Sequence, residues 1–136
     1  MIYVDANYWI YWFDERLQEH KYVSKPMRSA INEGIMINYV TLMEIAHYLR
    51  NLDQAEFRDR MDTIQQLGTL TLVDLDARTT NIALEFLTKY ARLGIGGRDS
   101  VILATMQVTN VKKILTHDDA FKSVKGIKVI DSIPKL

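Results

Sequence analysis

The chain has 136 residues, of which 48% are hydrophobic and 25% are charged, and its 17 acidic and 17 basic side chains balance. These values predict one globular domain over residues 1–136 and exclude both a disordered chain and an overall electrostatic attraction to nucleic acid. Cysteine is absent, which excludes disulfides, thiolate metal sites and a cysteine nucleophile. The N-terminal apolar run is interrupted at Asp5 and Asn7, and no window approaches about 20 apolar residues. We therefore expect a cytoplasmic protein without a membrane span.

Five short apolar runs, each bounded by polar or turn residues, predict β-strands. They lie at 2–4, 35–40, 70–73, 112–116 and 127–131. The segments between them have the spacing of helices. Strands that alternate with helices in this way predict an α/β fold with a mainly parallel sheet.

Four helices are predicted. Those at 54–67 and 76–93 have apolar residues that recur at steps of three and four. The segment 99–109 is apolar nearly all round, which indicates a buried helix, and the helix at 41–50 is predicted from its capping residues. This helix is expected to begin with Thr41 as N-cap and Glu44 three residues later, which is the arrangement of a capping box.

A further helix with many aromatic residues follows the first strand, at YWIYWF. Its rings are suited either to stacking on RNA bases or to packing in the core. Packing is the preferred interpretation, because so many neighbouring rings cannot all face solvent.

Four acidic residues lie where the predicted elements meet one edge of the sheet. Asp5 ends the first strand, and Asp118 directly follows the fourth. Glu44 is placed in the first turn of the helix after the second strand, and Asp99 opens the helix that leads into the fourth. The carboxyl ends of parallel strands share one edge, where open α/β folds bind ligands, so we expect these four carboxylates to converge.

Each acid also has a purely structural interpretation. Asp99 and Asp118 are suitable N-caps for the helices that follow them, and Glu44 is a suitable partner for a capping residue. Asp5 is harder to explain in this way, since an ionised carboxylate between two apolar runs is costly without a partner.

A metal ion is the simplest explanation of the whole set. Clustered carboxylates repel each other unless cations neutralise them. Arg98, beside Asp99, is the only Lys or Arg that adjoins one of the four acids. Arg98 is suited either to contact a substrate phosphate or to pair with the acids. Oxygen ligands without cysteine or paired histidines predict a site for Mg²⁺ or Mn²⁺.

The motifs YVDAN, TLMEIAHYL, GGRDSVILATM and ILTHDDAF follow one another along nearly the whole chain. In this ordered set the sequence resembles the PIN-domain ribonucleases, and within them the VapC-type toxins of toxin–antitoxin pairs. The resemblance implies a three-layer α/β/α sandwich with a central, mainly parallel sheet of four or five strands. It also implies a metal-dependent endoribonuclease that leaves 5′-phosphate and 3′-hydroxyl ends, an antitoxin partner and a homodimer.

The resemblance assigns a role to each acid by its position in a motif. The catalytic positions correspond to Asp5, Glu44, Asp99 and Asp118. The three aspartates are expected to hold one or two Mg²⁺ or Mn²⁺ ions. Glu44 is expected to orient or deprotonate the attacking water, or to complete the metal shell.

Two neutral residues match supporting positions of the same motifs. Thr116 matches a hydroxyl residue that supports the site, and Asn7 matches a polar position just after the first Asp. A helix cap is the alternative interpretation of Asn7. Asp119 is an additional acid, and Asp118 is preferred as the ligand because it occupies the third place of the T-x-D pattern.

Other functions fit parts of the pattern. A catalytically silent PIN-like module that binds RNA or protein would not need four converging acids. A housekeeping RNA-processing nuclease would use the same residues as a toxin. An aspartyl-phosphate phosphatase is disfavoured because residue 7 is Asn, and the chain is short for the helical arch of a flap nuclease.

Overall fold

The computed structural model describes residues 1–135, which form five strands and six α-helices around one parallel sheet. The strands are β1 (Ile2–Val4), β2 (Ile35–Asn38), β3 (Leu70–Val73), β4 (Lys113–Leu115) and β5 (Lys128–Ile130). The helices are α1 (Ala6–Phe13), α2 (His20–Glu33), α3 (Tyr39–Leu49), α4 (Gln54–Gln65), α5 (Ala77–Lys89) and α6 (Gly97–Thr109). Short 3₁₀ helices lie at Ala91–Leu93 and Asp119–Ser123.

The sheet has the order β3-β2-β1-β4-β5, and every pair of neighbouring strands is parallel. Parallel crossovers are right-handed, so the helices that follow β1 and β2 cover one face and those between β3 and β4 cover the other. The α/β fold with a mainly parallel sheet, predicted from the alternating pattern, is therefore confirmed, as is the α/β/α sandwich that the resemblance implies, and the sheet has five strands.

Burial follows the position of each strand in the sheet. Every residue of the central strands β1 and β2 is buried, whereas the edge strands β3 and β5 are only partly covered. Strands covered on both faces need apolar side chains at every position, which explains why the sequence shows continuous apolar runs and not alternation.

The start of α3 differs from the prediction. The strand before it ends at Asn38, whose side chain caps the helix by accepting a hydrogen bond from the Thr41 backbone nitrogen at 2.7 Å. Thr41 therefore lies inside α3 and is not its N-cap, and its hydroxyl is 2.6 Å from the Tyr3 hydroxyl. Asn is as good an N-cap as Thr, and the strand-like residues at 39–40 concealed the boundary.

Two other helices have shorter regular regions than predicted. The segment predicted as one helix over 76–93 ends its α-helical part at Lys89 and continues as the 3₁₀ helix. The segment predicted at 54–67 becomes α4, which ends at Gln65. After the 3₁₀ helix at Ala91–Leu93, the chain turns towards α6 at Gly94, whose φ of 80° lies in the left-handed region that favours glycine.

The aromatic residues of α1 mostly pack, as the preferred interpretation proposed. Tyr8 and Trp9 are fully buried, and the Trp9 indole donates a hydrogen bond to the Val4 carbonyl at 3.2 Å. The rings of Trp12 and Phe13 lie with centroids 6.0 and 6.2 Å from Trp9. These contacts fix α1 against β1.

Within residues 1–135, none of the helices combines the length and apolar character that crossing a bilayer requires.

Candidate active site at the switch point of the sheet

The order of the strands places a crevice at the centre of the sheet. The chain proceeds from β1 to β2 and β3 on one side, and returns to place β4 and β5 on the other side of β1. In open α/β sheets, ligands bind outside the carboxyl ends of the strands at such a reversal. Asp5 directly follows β1, and Thr116 directly follows β4, so both lie at this point.

Asp5 is held in one orientation by hydrogen bonds to both of its carboxylate oxygens. Oδ1 accepts from the Ala6 backbone nitrogen at 2.8 Å, which makes Asp5 the N-cap of α1. Oδ2 accepts from the Thr116 hydroxyl at 2.7 Å. Only 7% of Asp5 is exposed. The functional and capping interpretations of a strand-end acid are thus compatible at this residue.

Thr116 and Asn7 connect the loop after β4 to the start of α1. The buried Thr116 hydroxyl accepts from the Asp118 backbone nitrogen at 3.1 Å and from the Asn7 side-chain nitrogen at 3.3 Å. The Asn7 oxygen accepts from the backbone nitrogen of His117 at 3.3 Å. Asn7 is therefore not the helix cap, and it joins the two segments that carry Asp5 and Asp118.

Glu44 and Asp99 approach from α3 and α6. Glu44 is 28% exposed in its side chain and forms an ion pair with Arg98, whose side chain is 67% exposed. Asp99 lies in the first turn of α6 and accepts a hydrogen bond of 3.5 Å from the Gly96 backbone nitrogen. Gly96 is the N-cap of this helix, so the alternative that Asp99 is the N-cap is wrong.

Burial and mutual repulsion disfavour the charged form of these acids. Burial raises the pKa of Asp5 to about 6, against hydrogen bonds from Thr116 and Ala6, and the charges of Glu44 and Asp118 add to the increase. Burial also raises the pKa of Asp99 to about 6, with Asp118 as the next cause. Asp5 and Asp99 are thus each close enough to Asp118 for its charge to raise their pKa.

The pKa of Glu44 is raised by burial and by the charge of Asp99, while its ion pair with Arg98 opposes this increase. Within residues 1–135, Glu44 is therefore the one acid of the four that forms an ion pair.

The remaining three acids have no ion-pair partner in the described part of the chain, residues 1–135. No Lys, Arg or His within residues 1–135 lies at ion-pair distance from Asp5, Asp99 or Asp118. Their ligand atoms are all oxygens, the type that Mg²⁺ and Mn²⁺ prefer. Charge and donor chemistry therefore fit a hard divalent cation. Over the same residues, no three acidic or histidine side chains approach closely enough to hold one ion by themselves.

Asp119 has a different environment from its neighbour. Its carboxylate pairs with Lys122 at 2.6 Å and with Lys135 at 3.0 Å. These two partners lower the pKa of Asp119 to about 2. Asp118 instead caps the 3₁₀ helix that follows, accepting from the Ala120 backbone nitrogen at 3.0 Å. The structural interpretation of Asp118 as a cap therefore holds alongside its place near the other acids.

A second polar network lies beside the site and was not found from the sequence. Asp131 follows β5 and accepts a hydrogen bond from the Tyr8 hydroxyl at 2.7 Å, and its other oxygen lies 2.8 Å from Nδ1 of His117. Burial raises the pKa of Asp131, but these hydrogen bonds outweigh it and lower the pKa. The rule that located Asp5, an acid at the carboxyl end of a strand, also applies to Asp131.

Another buried acid that the sequence analysis did not select lies at the far end of α1. Asp14 is only 6% exposed. Its two oxygens accept from Nε and Nη2 of Arg16, each at 2.9 Å, and the Tyr48 hydroxyl donates at 2.6 Å. The Arg16 guanidinium holds the pKa of Asp14 well below its usual range. In the sequence, this ion pair is indicated by DER at 14–16, where an arginine follows the aspartate by two residues.

The fold and the acids together define an α/β protein with a carboxylate site at the switch point of a parallel sheet. The sequence model of the PIN domain family matches residues 2–127. The chain therefore belongs to the PIN domain family, which confirms the resemblance drawn from the motifs.

Solved structures support the same fold at low identity. VapBC2 from Rickettsia felis, bound to a DNA fragment from their promoter, includes a chain similar to this one with a TM-score of 0.72 and 19% identity, over 96% of this chain and 98% of that one. VapC20 from Mycobacterium tuberculosis, described as a sarcin-ricin loop cleaving toxin, aligns with a TM-score of 0.77 and 15% identity, over 90% and 94%.

A toxin–antitoxin complex from Klebsiella pneumoniae includes a similar chain with a TM-score of 0.68 and 22% identity, over 96% of both chains. Identities this low establish the fold. No curated protein matches the sequence significantly.

Proposed function

We propose that this protein is a Mg²⁺- or Mn²⁺-dependent endoribonuclease that hydrolyses phosphodiester bonds in RNA. The observation that carries the proposal is the group formed by Asp5, Asp99 and Asp118, which lie at the switch point without an ion-pair partner among residues 1–135. Membership of the PIN domain family and similarity to a structure described as a cleaving toxin support it.

Each acid has a role that follows from its environment. Asp5, Asp99 and Asp118 would hold the cation, directly or through water. When bound, a divalent cation supplies charge stabilisation at phosphorus and at the departing oxygen, and it acidifies water. Glu44 is the proposed acceptor of the proton of the attacking water, because it is the acid of the four that approaches from α3 with a partly exposed carboxylate, and burial raises its pKa.

The supporting residues keep the acids in place. Thr116 donates to Asp5 and accepts from the Asp118 backbone, so its hydroxyl fixes the relative position of two proposed ligands. Asn7 strengthens this connection. Arg98 is exposed enough to exchange Glu44 for a phosphate oxygen of the substrate, and we assign it that contact.

The toxin role and the partners are also proposals. The similar structures from Rickettsia felis and Klebsiella pneumoniae are a VapBC structure and a toxin–antitoxin complex, which supports an antitoxin partner for this chain. Tyr39 and Met43 of α3 are 44% and 67% exposed, close in sequence to Glu44. Such apolar side chains beside a site fit a docked partner segment or a second copy in a homodimer.

The test uses purified protein and a mixed-sequence RNA, with Mn²⁺ or with EDTA. We expect cutting in Mn²⁺, none in EDTA, and loss of cutting in Asp118→Asn. Asp119→Asn is the matched control, because its carboxylate is adjacent in sequence but paired with two lysines, and it should cut within about twofold of wild type. RNA binding without metal-dependent cutting would favour the silent binding module. Equal loss in both variants would remove the preference for Asp118.

A further inference from the structure

His117 lies between two residues of the acidic site and belongs to a hydrogen-bonded network that the proposed chemistry does not use. Its neighbours in sequence are Thr116, which donates to Asp5, and Asp118. The His117 backbone nitrogen donates to the Asn7 side-chain oxygen at 3.3 Å. The main chain of His117 is therefore fixed at the carboxyl ends of β1 and β4, on the same edge of the sheet as Asp5.

The imidazole of His117 lies between α1 and the end of β5. Its ring centroid is 6.3 Å from that of Tyr11, with the two planes at 75°, and its Nδ1 is 2.8 Å from Oδ2 of Asp131. Burial raises the pKa of Tyr11, and the charges of Asp131 and Asp5 are among the further causes. Because one phenol lies close enough to both acids to respond to their charges, the imidazole beside it is at the border of the acidic site.

Hydrogen bonds determine which nitrogen of the neutral imidazole carries the proton. The Ser132 backbone nitrogen donates to the Tyr8 hydroxyl at 2.8 Å, so the Tyr8 proton is directed to Oδ1 of Asp131, at 2.7 Å. The Ile133 backbone nitrogen also donates to Oδ1, at 3.0 Å. These donors favour the ionised form of Asp131, which can only accept. Nδ1 of His117 therefore carries the proton, and Nε2 is an acceptor.

Nε2 of His117 is the polar atom that this network leaves open. Within residues 1–135 it has no hydrogen-bond partner and is not among the buried unpaired atoms, and 28% of the side chain is exposed. A connection between the ends of β4 and β5 requires only Nδ1. The hydrogen bond to Asp131 also prevents the ring from turning freely, so Nε2 is held in one direction at the border of the site.

A neutral Nε2 requires a ligand group that has a proton to donate. The phosphodiester oxygens of a nucleic acid only accept hydrogen bonds, so they do not match it. The ribose 2′-hydroxyl both donates and accepts, so it pairs with Nε2 whether the imidazole is neutral or protonated. This hydroxyl is also the group that distinguishes the sugar of RNA from the sugar of DNA.

We propose that Nε2 of His117 contacts the 2′-hydroxyl of a nucleotide beside the scissile phosphate and thereby selects RNA over DNA. Asp131 and Tyr8 are positioning residues for this contact, because they hold the imidazole through Nδ1. The proposal rests on the proposed ribonuclease function, since it requires a polynucleotide at the acidic site. The competing interpretation is that the network only joins α1, β4 and β5.

Two substitutions separate the roles of the two ring nitrogens. His117→Asn keeps a donor near the position of Nδ1, where it can bond to Asp131, and has no group at the position of Nε2. His117→Gln has a polar group near the position of Nε2 and loses the donor to Asp131. Melting temperatures in EDTA measure the structural contribution, which we expect to be lost in His117→Gln and largely retained in His117→Asn.

The first measurement is binding of short, fluorescein-labelled single strands in EDTA, so that no cutting occurs. One strand is RNA, and the other has the same sequence with 2′-fluoro sugars, which keep the sugar conformation of RNA but cannot donate. We expect wild type to bind the RNA about five- to tenfold more tightly, the usual effect of one hydrogen bond. His117→Asn should bind both strands equally, and His117→Gln should keep a preference of about twofold.

Asp131→Asn tests the positioning role. An amide has only one oxygen, so it cannot accept from both Tyr8 and His117 as the carboxylate does. The preference for RNA over the 2′-fluoro strand should fall by at least about half, while the affinity for the 2′-fluoro strand stays within about twofold of wild type. A purely structural role would instead weaken binding of both strands in the same proportion and leave the preference unchanged, which would contradict positioning by Asp131.

The second measurement is cutting in Mn²⁺ of RNAs in which single nucleotides around the mapped cut are replaced by their 2′-deoxy forms. One position should slow wild type by about five- to tenfold and His117→Asn by less than about twofold. A wild-type protein that does not distinguish the strands in either assay would overturn the proposal, as would a His117→Asn variant with the full preference. A preference that follows the base at that position and not the sugar would also overturn it.

The two assays separate this proposal from the ribonuclease function. If wild type prefers RNA through His117 in EDTA but does not cut in Mn²⁺, the contact stands and the ribonuclease function fails. If wild type cuts, and cuts the deoxy-substituted strands as fast as RNA, the ribonuclease function stands and the contact fails.

Discussion

The two ends of α1 present two aspartates with nearly equal burial and opposite electrostatics. Asp5 caps the first turn and is 7% exposed, and Asp14 follows the last turn and is 6% exposed. The guanidinium of Arg16 holds the pKa of Asp14 below its usual range, whereas burial raises the pKa of Asp5 to about 6. Burial alone therefore does not identify a functional acid in this protein.

The helix dipole makes this contrast sharper. A negative charge is favourable at the N-terminus of a helix and unfavourable at its C-terminus. Asp5 occupies the favourable end and still has a raised pKa, while Asp14 occupies the unfavourable end and has a lowered one. The bidentate hydrogen bonds from Arg16 are the largest cause of the lowered pKa of Asp14, whereas burial is the largest cause of the raised pKa of Asp5. Asp5 has no ion-pair partner within residues 1–135, which supports its proposed role as a ligand of a cation.

The largest expected effect is on cutting. Asp5→Asn should reduce metal-dependent cutting of RNA by more than about 100-fold, because it removes one proposed ligand. Asp14→Asn should cut within about threefold of wild type, because Arg16 and Tyr48 complete the Asp14 environment without a metal. Initial rates in Mn²⁺ on the same RNA test this pair. A similar loss in both variants would mean that the contrast between the two aspartates has no functional meaning.

Thr116→Val comes next. It removes the hydroxyl that donates to Asp5 and accepts from the Asp118 backbone, with little change in volume. We expect cutting to fall by about 10- to 100-fold, the usual cost of losing a group that orients a metal ligand. The unsatisfied backbone nitrogen should also reduce stability by about 1–3 kcal/mol.

Thr116→Ser retains the hydroxyl and is the control for this variant. It should recover most of the rate. If Val and Ser behave alike in single-turnover cutting, the hydroxyl does not position the acids.

The pH dependence of stability in EDTA should have opposite signs for the two aspartates. The pKa of Asp14 is lowered on folding, so its contribution to stability is present above its unfolded pKa of about 3.9 and is lost as pH falls. The folded pKa of Asp5 is raised to about 6. Its ionisation therefore destabilises the fold as pH rises from about 4 through 6, by an amount on the order of 2 kcal/mol.

Urea denaturation at pH 8 and pH 4 measures the Asp5 effect, and a further series at pH values below 4 measures the loss of the Asp14 contribution. Asp5→Asn should be more stable than wild type at pH 8 and should have no advantage at pH 4. Asp14→Asn should be less stable by about 1 kcal/mol at pH 8, a discounted value because Arg16 is largely exposed, and the deficit should shrink as pH falls. A loss of stability in Asp5→Asn at pH 8 would instead indicate a structural role for Asp5.

The smallest effect is expected at Arg98. Its ion pair opposes the increase in the pKa of Glu44, so Arg98→Ala should move the acidic limb of the pH–rate profile to higher pH. Loss of the proposed phosphate contact should raise KM several-fold. Stability should change by less than about 0.5 kcal/mol, because the guanidinium is mostly exposed. Arg98→Lys should restore the pH profile, and an unchanged profile and KM in Arg98→Ala would contradict both roles.

The sequence predicted the sheet well because central parallel strands are apolar on both faces. The predicted strands at 2–4 and 70–73 agree with β1 and β3, and the others differ only at their ends. The start of α3 was predicted wrongly, since Asn38 and Thr41 are both good caps and the choice depends on tertiary contacts. The Thr41 hydroxyl is engaged by Tyr3, a contact across 38 residues that no local pattern contains.

The site was predictable to the extent that topology determines it. The positions of Asp5 and Asp118 after central strands were sufficient to place them at one edge. The pairing of Asp119 with Lys122 and Lys135, and of Arg98 with Glu44, required coordinates. Which of two adjacent acids has a lysine partner depends on side-chain directions, and these are not periodic features of a sequence.

The hydrogen bond from Thr116 to Asp5 joins residues 111 positions apart. During synthesis at about 5–20 residues per second, roughly 5–20 s therefore separate the emergence of these two residues from the ribosome. Until β4 has been made, β1 lacks its second neighbour and Asp5 lacks its hydroxyl donor. A nascent chain that stalls before residue 116 thus contains Asp5, Glu44 and Asp99 in sequence but has neither β4 nor the hydroxyl that orients Asp5, and we expect such a chain to lack the proposed cutting of RNA.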